Sequence, residues 1–485
     1  MSKLKQHNSP KRNGMQLIER HRVSPPQNSV PMVDLPLTYL DVFWIPFSHT
    51  QRFFLYKHPF ITAPYFLREI LPGLKDSLSV CLQHYFPLAG SLVIPPETPS
   101  KPHIHYEDGH SVALTIMESS KDFASLLGAG KNSLIRQADY DSLVPDLVIN
   151  RVVQSPLLAL QVTIFPNSGI SLGVTYRHAV ADGKSMMGFL NTWSAVFRNS
   201  GIMPENNFVP PVIDRSLISD PDDIIKNAYF NQFPSLATLV EITSDLQAVE
   251  ENPIARATFL MKRHEIQQLR KWVSARAKNE DLYLSTFVLL SSLTWVNLVK
   301  SETAAKISPG SGNDDDRPLC HFFCAVDCRD RYEFKSQVPS AYFGNCLAVM
   351  DASAKRAELE SENGLIIAVR AIGEKIKEME RRGALKDAAL WFAKALESHK
   401  TGTVFSIAGS PRLGVYGLDF GWGRPEKVEV VSIDAERMSL AEARDDDSGG
   451  VEIGMALRKK QMEAFMANFE KSKSDFWKPL RPPSF

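Results

Sequence analysis

Between Ile170 and Leu190 the hydrophobic period of the chain switches from two residues to about 3.6, and this constrains the fold more than any other stretch. Ile170, Leu172, Val174, Tyr176 and His178 alternate, so they share one face of a strand. After Asp182-Gly183, the run Lys184-Ser185-Met186-Met187-Gly188-Phe189-Leu190 has helical spacing, with Asp182 and Ser185 both candidates to cap it. The junction delivers an imidazole where rigid elements hold it and a loop leaves it reachable.

The pair His178-x-x-x-Asp182 is weak on its own. The chain has 12 histidines, and with Asp at roughly one residue in twenty about half a match arises by chance. A lone histidine is more often a core residue, and an aspartate there a plain helix cap. Context has to decide.

At 485 residues the chain is longer than one core usually grows, so two mixed α/β domains are expected. A Pro- and Asp-rich stretch opens a crossover linker over 204–254, dividing an N-terminal domain, 29–203, from a C-terminal one, 255–485. Residues 1–28 are polar and basic with no apolar signal core, and read as a disordered extension with Met15 an alternative start. Periodicity predicts helices over 66–85, 264–278, 285–300, 365–381 and 459–469. Strands are predicted over 91–94, 103–106, 113–117, 255–262, 319–327, 427–432 and 451–457, with a hairpin over 156–178 turning at Pro166-Asn167-Ser168-Gly169. Residues 302–317, with Asp314-Asp315-Asp316, read as a surface loop.

The 55 basic and 55 acidic residues balance, which argues against nucleic acid or an anionic membrane as main partner. No run of eighteen apolar residues spans a bilayer. Cys320, Cys324 and Cys328 sit four apart, without the two-residue spacing of structural zinc sites, so no metal site is expected. Scarce cysteine fits a reducing, cytoplasmic setting. Thr38, Asp41 and Trp44 fall in an aromatic-dense stretch, 35–47, which is either core or a wall for a flat acceptor, as is the region of Trp391.

Further along stand Tyr342-Phe343-Gly344-Asn345-Cys346 and Asp419-Phe420-Gly421-Trp422-Gly423. With His178-x-x-x-Asp182-Gly183 before them, these motifs strongly resemble the plant BAHD acyl-CoA-dependent acyltransferases, over most of the chain. Tyr342 to Cys346 and the flanks Gly409-Ser410-Pro411-Arg412 and Arg424-Pro425-Glu426-Lys427 resemble the branch acylating anthocyanins and other phenolic glycosides. Arg177 departs from the second histidine many members carry there.

The resemblance implies two chloramphenicol-acetyltransferase-like domains with an active-site channel between them. It implies His178 as general base, and Asp182 and Gly183 as structural, the carboxylate turned from the channel toward an arginine. Asp419, Phe420, Gly421, Trp422 and Gly423 would be structural and remote. Lys262 and Arg263 would lie near the CoA phosphates, and Ser285 and Thr286 near the pantetheine. Acyl-CoA would be a co-substrate, with no permanently bound cofactor and a monomeric enzyme. The favoured donor is malonyl-CoA and the acceptor a sugar hydroxyl of a phenolic or flavonoid/anthocyanin glucoside.

The chemistry stands on physical grounds too. An imidazole titrating at about 6.5 suits removal of the alcohol's proton. A malonyl carboxylate needs a cation, and Lys184 is the candidate because strand alternation turns Arg177 away from His178. A hydroxycinnamoyl donor, or a catalytically silent binding protein on the same fold, are the competing readings. A Ser or Cys hydrolase is disfavoured, because no strand-to-helix Gly-x-Ser-x-Gly elbow and no Cys-His context is read in the sequence.

Overall fold

The strand that leads to His178 lies inside a six-stranded sheet, ordered Met15–Val23, Val112–Ser119, Leu158–Phe165, Gly169–Tyr176, Thr50–Lys57 and Lys427–Val430. The computed structural model describes residues 14–477 apart from 48, 96–100, 129–133, 148–153, 207, 233–253, 278–279, 306–318, 330–337, 434–436 and 445–448. Both strands of the predicted hairpin are buried along their whole length, and Asn167 takes a positive φ of 55° in the turn between them. Elements therefore cover both faces of this sheet. One cover is the helix Gly183–Arg198, which turns Met186, Phe189, Leu190 and Trp193 inward against Leu71–His84, with Trp193 Nε1 donating to Leu74 O at 3.2 Å.

A seven-stranded sheet is ordered Leu347–Lys355, Leu319–Asp327, Gly402–Gly409, Arg437–Glu442, Val451–Arg458, Ile254–Met261 and Ile135–Arg136. Its core includes the helix Thr286–Ala305, buried nearly all round, and the helices Gly364–Arg382 and Lys459–Asp475. A third, four-stranded sheet joins Val33–Pro36, His103–Tyr106, Ser91–Val93 and Gln154–Pro156.

Two strands cross the expected domain boundary in opposite directions. Lys427–Val430 pairs antiparallel with Thr50–Lys57 in the first sheet, and Ile135–Arg136 pairs with Ile254–Met261 in the second. The halves are thus interlocked, not merely joined.

Two expectations are corrected. Residues 15–28 are not a disordered extension: Met15–Val23 pairs with Val112–Ser119 and buries Met15 and Val23. Residues 1–13 lie outside the described residues. Residues 302–305 of the expected surface loop are helical, because the helix runs on to Ala305 and buries Glu302 in an ion pair with Arg356 at 2.9 Å, while 306–317 lie outside the described residues. The described part of the expected linker, before residue 233, is anchored at two points. Arg215 is buried, and the helix Ile224–Gln232 docks through Tyr229, whose hydroxyl donates to Ala388 O at 2.7 Å.

Candidate active site

A cavity of about 2430 Å³ takes its walls from both large sheets, well above the roughly 300–1,000 Å³ of an ordinary small-molecule pocket. His178 lines it, with Trp44, Asp182, Gly183 and Lys184 beside it and Ser285 and Thr286 from the start of the helix Thr286–Ala305. Beyond Tyr176 the chain leaves the sheet in a tight turn, Val180 N–H to Arg177 O at 3.1 Å. The helix then starts under an Asp182 cap, whose Oδ1 accepts from Ser185 N–H at 2.9 Å.

Asn345 sets the state of the imidazole. Its Nδ2 donates to Asp41 Oδ1 at 2.9 Å and to the carbonyl of His178 at 2.8 Å. Its Oδ1 is what faces His178 Nδ1, 3.0 Å away, and an amide oxygen only accepts. The hydrogen-bond network therefore assigns the proton to Nδ1 and leaves Nε2 with a free lone pair. Trp44 stacks on the ring at 3.9 Å between centroids, with planes 22° apart. Burial lowers the His178 pKa from the usual 6.5, with the Asp182 charge and Asn345 opposing it, so the ring is neutral at pH 7.

Behind Asn345 stands a buried framework. Asp41 Oδ1 also accepts from Asn345 N–H at 3.1 Å, while Oδ2 accepts from Thr38 N–H and Oγ1 at 3.1 and 2.9 Å. Arg215, reaching in from the linker, pairs with Asp41 at 3.2 Å and donates to Phe343 O and Val180 O. Gly344 has to be glycine here, because an added Cβ would run into the Arg215 guanidinium. Asp182 Oδ2 accepts from Cys346 N–H at 3.1 Å and pairs at 2.8 Å with Arg329, which also meets Asp327 at 2.9 Å. Both Asp182 oxygens are thus engaged away from the imidazole.

Thr38, Asp41 and Trp391 do not line the cavity as an acceptor wall. Thr38 and Asp41 form the capping box of the short helix Tyr39–Val42, and Trp391 is buried edge-on against Phe43 at 5.7 Å. The polar atoms of Thr38 and Asp41 and the ring of Trp391 are engaged by the protein itself. Trp44, Phe43 and Phe47 are the aromatic side chains this stretch turns to the cavity. Lys262 and Arg263 stand exposed at the start of the helix Arg263–Arg276, outside the cavity lining. Lys184 lines it, but its ammonium is 3.4 Å from Asp327 Oδ2.

Asp419 to Gly423 lies outside the lining. Asp419 Oδ1 accepts from Gly421 and Gly423 N–H at 2.7 and 2.9 Å, in a turn where the two glycines have φ of 87° and 85°. Phe420 packs edge-on against Trp193, and Trp422 against Tyr56.

Gly169-Ile170-Ser171-Leu172-Gly173 carries a Gly-x-Ser-x-Gly string, yet Ser171 is buried in mid-strand, not at an elbow, and is outside the cavity lining. All five cysteines are buried. Asn345, Arg215 and Arg329 were not identified as site residues from the sequence. The available signal was a carboxamide inside the otherwise apolar Tyr342-to-Cys346 run.

A profile of the Transferase family matches residues 15–472. The chain belongs to this family, the BAHD acyltransferases. Phenolic glucoside malonyltransferase 1 of Arabidopsis thaliana is 37% identical, the match covering 94% of this chain and 97% of the relative. Coumaroyl-CoA:anthocyanidin 3-O-glucoside-6''-O-coumaroyltransferase 1 of the same plant is 36% identical, covering 93% and 95%. Vinorine synthase shares the fold at a TM-score of 0.65 and 20% identity, covering 93% of this BAHD chain and 96% of that structure. The protein is an acyltransferase. Among the described residues no helix is long and apolar enough to cross a membrane.

Proposed function

We propose that this BAHD enzyme moves an acyl group, malonyl by preference, from a CoA thioester to a sugar hydroxyl of a phenolic or flavonoid/anthocyanin glucoside. His178 is the general base. The observation that carries this is the free Nε2 of a neutral His178 inside a cavity wide enough for two substrates. Nε2 takes the hydroxyl proton as the oxygen attacks the thioester carbonyl. The tetrahedral adduct collapses, the C–S bond breaks, and the imidazolium returns its proton to the thiolate of CoA. The proton stays on Nδ1 throughout, held toward Asn345. Asp182, Gly183 and the Asp419-to-Gly423 turn serve order and not proton transfer.

Ser285 and Thr286 support a pantetheine path along their wall of the cavity. Lys262 and Arg263, outside it, are left with the CoA phosphates beyond the mouth. The malonyltransferase relatives support the donor. The coumaroyl-CoA reading is kept because Phe43, Trp44 and Phe47 offer aromatic surface to a cinnamoyl ring. The enzyme acts as a cytoplasmic monomer on small molecules, with acyl-CoA as co-substrate and no resident cofactor. Purified protein assayed with malonyl-, acetyl- and coumaroyl-CoA against flavonoid and simple phenolic glucosides tests the reading. Malonyl transfer supports it, coumaroyl transfer replaces the donor, and no transfer with any donor points to a silent binding protein.

A further inference from the structure

The strand Thr50–Lys57 carries a half-buried arginine, Arg52, directly before its buried run Phe53 to Tyr56. Arg52 is paired in register with Val174, and Thr50 with Tyr176. Paired residues point to the same face, so Arg52 shares the face of Tyr176, two residues before His178. Arg52 lines the cavity with Tyr176, His178 and Met187.

Among the described residues its charge has no acid at pairing distance, and Glu442 is the carboxylate whose charge acts on it. Its Nη1 meets the neutral Met187 thioether at 3.8 Å, and its buried Nε has no hydrogen-bond partner. Burial pushes the Tyr176 phenol up to about 12, so that group is neutral as well. Glu442 also lines the cavity, but its Oε1 accepts from Tyr416 N–H at 2.8 Å, and no ion pair to Arg52 forms among the described residues. Glu442 Oε2 is itself buried without a partner. Lys184, by contrast, already shares its charge with Asp327. A guanidinium stays charged at any working pH, and a desolvated charge without a partner is costly.

We propose that Arg52 receives the free carboxylate of a dicarboxylic acyl donor and makes the enzyme select malonyl-CoA over acetyl-CoA. The planar guanidinium offers a carboxylate two parallel N–H bonds, which an ammonium cannot. This rests on the acyl-transfer reading above and deepens it by assigning the donor-selecting group. The same guanidinium chemistry would accept a phosphate of CoA, and a water bridge to Glu442 would explain the geometry without any ligand.

The experiment compares wild type, R52Q, R52K, E442Q and K184A with malonyl-CoA and acetyl-CoA, with free CoA as product inhibitor. R52Q is expected to lower kcat/KM for malonyl-CoA by about thirty-fold or more while acetyl-CoA changes by less than about threefold. R52K should recover part of the loss, and E442Q and K184A should not reproduce the selectivity. Binding of both thioesters to H178A and to H178A/R52Q gives the same comparison without turnover, and equal thermal midpoints of R52Q and wild type exclude a folding defect. Equal losses on both donors with weaker CoA inhibition assign the guanidinium to a phosphate and overturn the proposal. Matching, donor-independent losses in R52Q and E442Q assign it to Glu442 and also overturn it. A wild type that uses coumaroyl-CoA and ignores malonyl-CoA overturns the donor itself, an outcome visible before any Arg52 variant is made.

Discussion

Two motifs in this chain join an aspartate to nearby glycine and differ in what they organise. Asp182-Gly183 and Asp419 to Gly423 each use a carboxylate to collect backbone N–H groups: Ser185 and Cys346 in the first, Gly421 and Gly423 in the second. The first carboxylate, Asp182, is completely buried, neutralised by Arg329, and borders the cavity next to His178. The second is partly exposed and fastens rings to the helix Gly183–Arg198 and the strand Thr50–Lys57. Composition does not separate a carboxylate that shapes a reaction site from one that shapes a turn. Burial and the partner do.

The comparison is sharpened most by His178→Ala. Turnover should fall on the order of 10²- to 10⁴-fold with the thermal midpoint nearly unchanged, because the ring faces a cavity. Near-normal turnover would remove the base from the mechanism. Asp182→Ala leaves Arg329 short of one of its two carboxylates, and loss of a buried pair costs about 3–5 kcal/mol. Asp182→Asn should be milder, since the carboxamide keeps the shape and an oxygen that can accept from Ser185 N–H. Denaturant unfolding separates the two, and a stable but inactive Asp182→Asn would give the carboxylate a direct chemical part.

Asn345→Ala comes next, with kcat reduced by up to about 10²-fold through a misplaced ring. Its pH profile tells a positioning loss from a general one. Asn345 favours the protonated ring, so the acid limb should move lower and not higher. Asp419→Ala frees two N–H groups and should cost about 1–3 kcal/mol with the donor KM unaltered. A folded variant with selectively weak CoA binding would break the structural assignment of that turn.

The smallest effect concerns pH. Burial holds the His178 pKa below 6.5, so kcat/KM in the wild type should stay level through 6.5 and fall only at lower pH. The native state binds that proton less readily than the unfolded chain does. Stability from this group is therefore present above 6.5 and is lost as pH falls below it. His178→Ala should accordingly lose less thermal stability than wild type between neutral and mildly acidic pH.

The strand-to-helix junction at His178 was legible because its period changes within ten residues. Thr50–Lys57 and Gly402–Gly409 were not, and Phe53 to Tyr56 shows why: all four are buried, so no alternation marks the strand. The motifs were legible as strings, but their partners were not. Arg215 and Arg329 come to Asp41 and Asp182 across 174 and 147 positions of sequence, and only the folded chain brings them close. Thr38, Asp41 and Trp391 were expected in a wall because aromatic density looks the same in a core and in a pocket.

The interlocked strands have a consequence for biosynthesis. Thr50–Lys57 leaves the ribosome early, yet its outer hydrogen-bonding edge is closed by Lys427–Val430, nearly the last sheet segment to be made. At about 5–20 residues per second, the first sheet waits for its final strand on the order of a minute or less. Through that interval the nascent N-terminal half displays an open β-edge, a template for pairing with other chains. Ribosomes translating the same message expose that edge side by side.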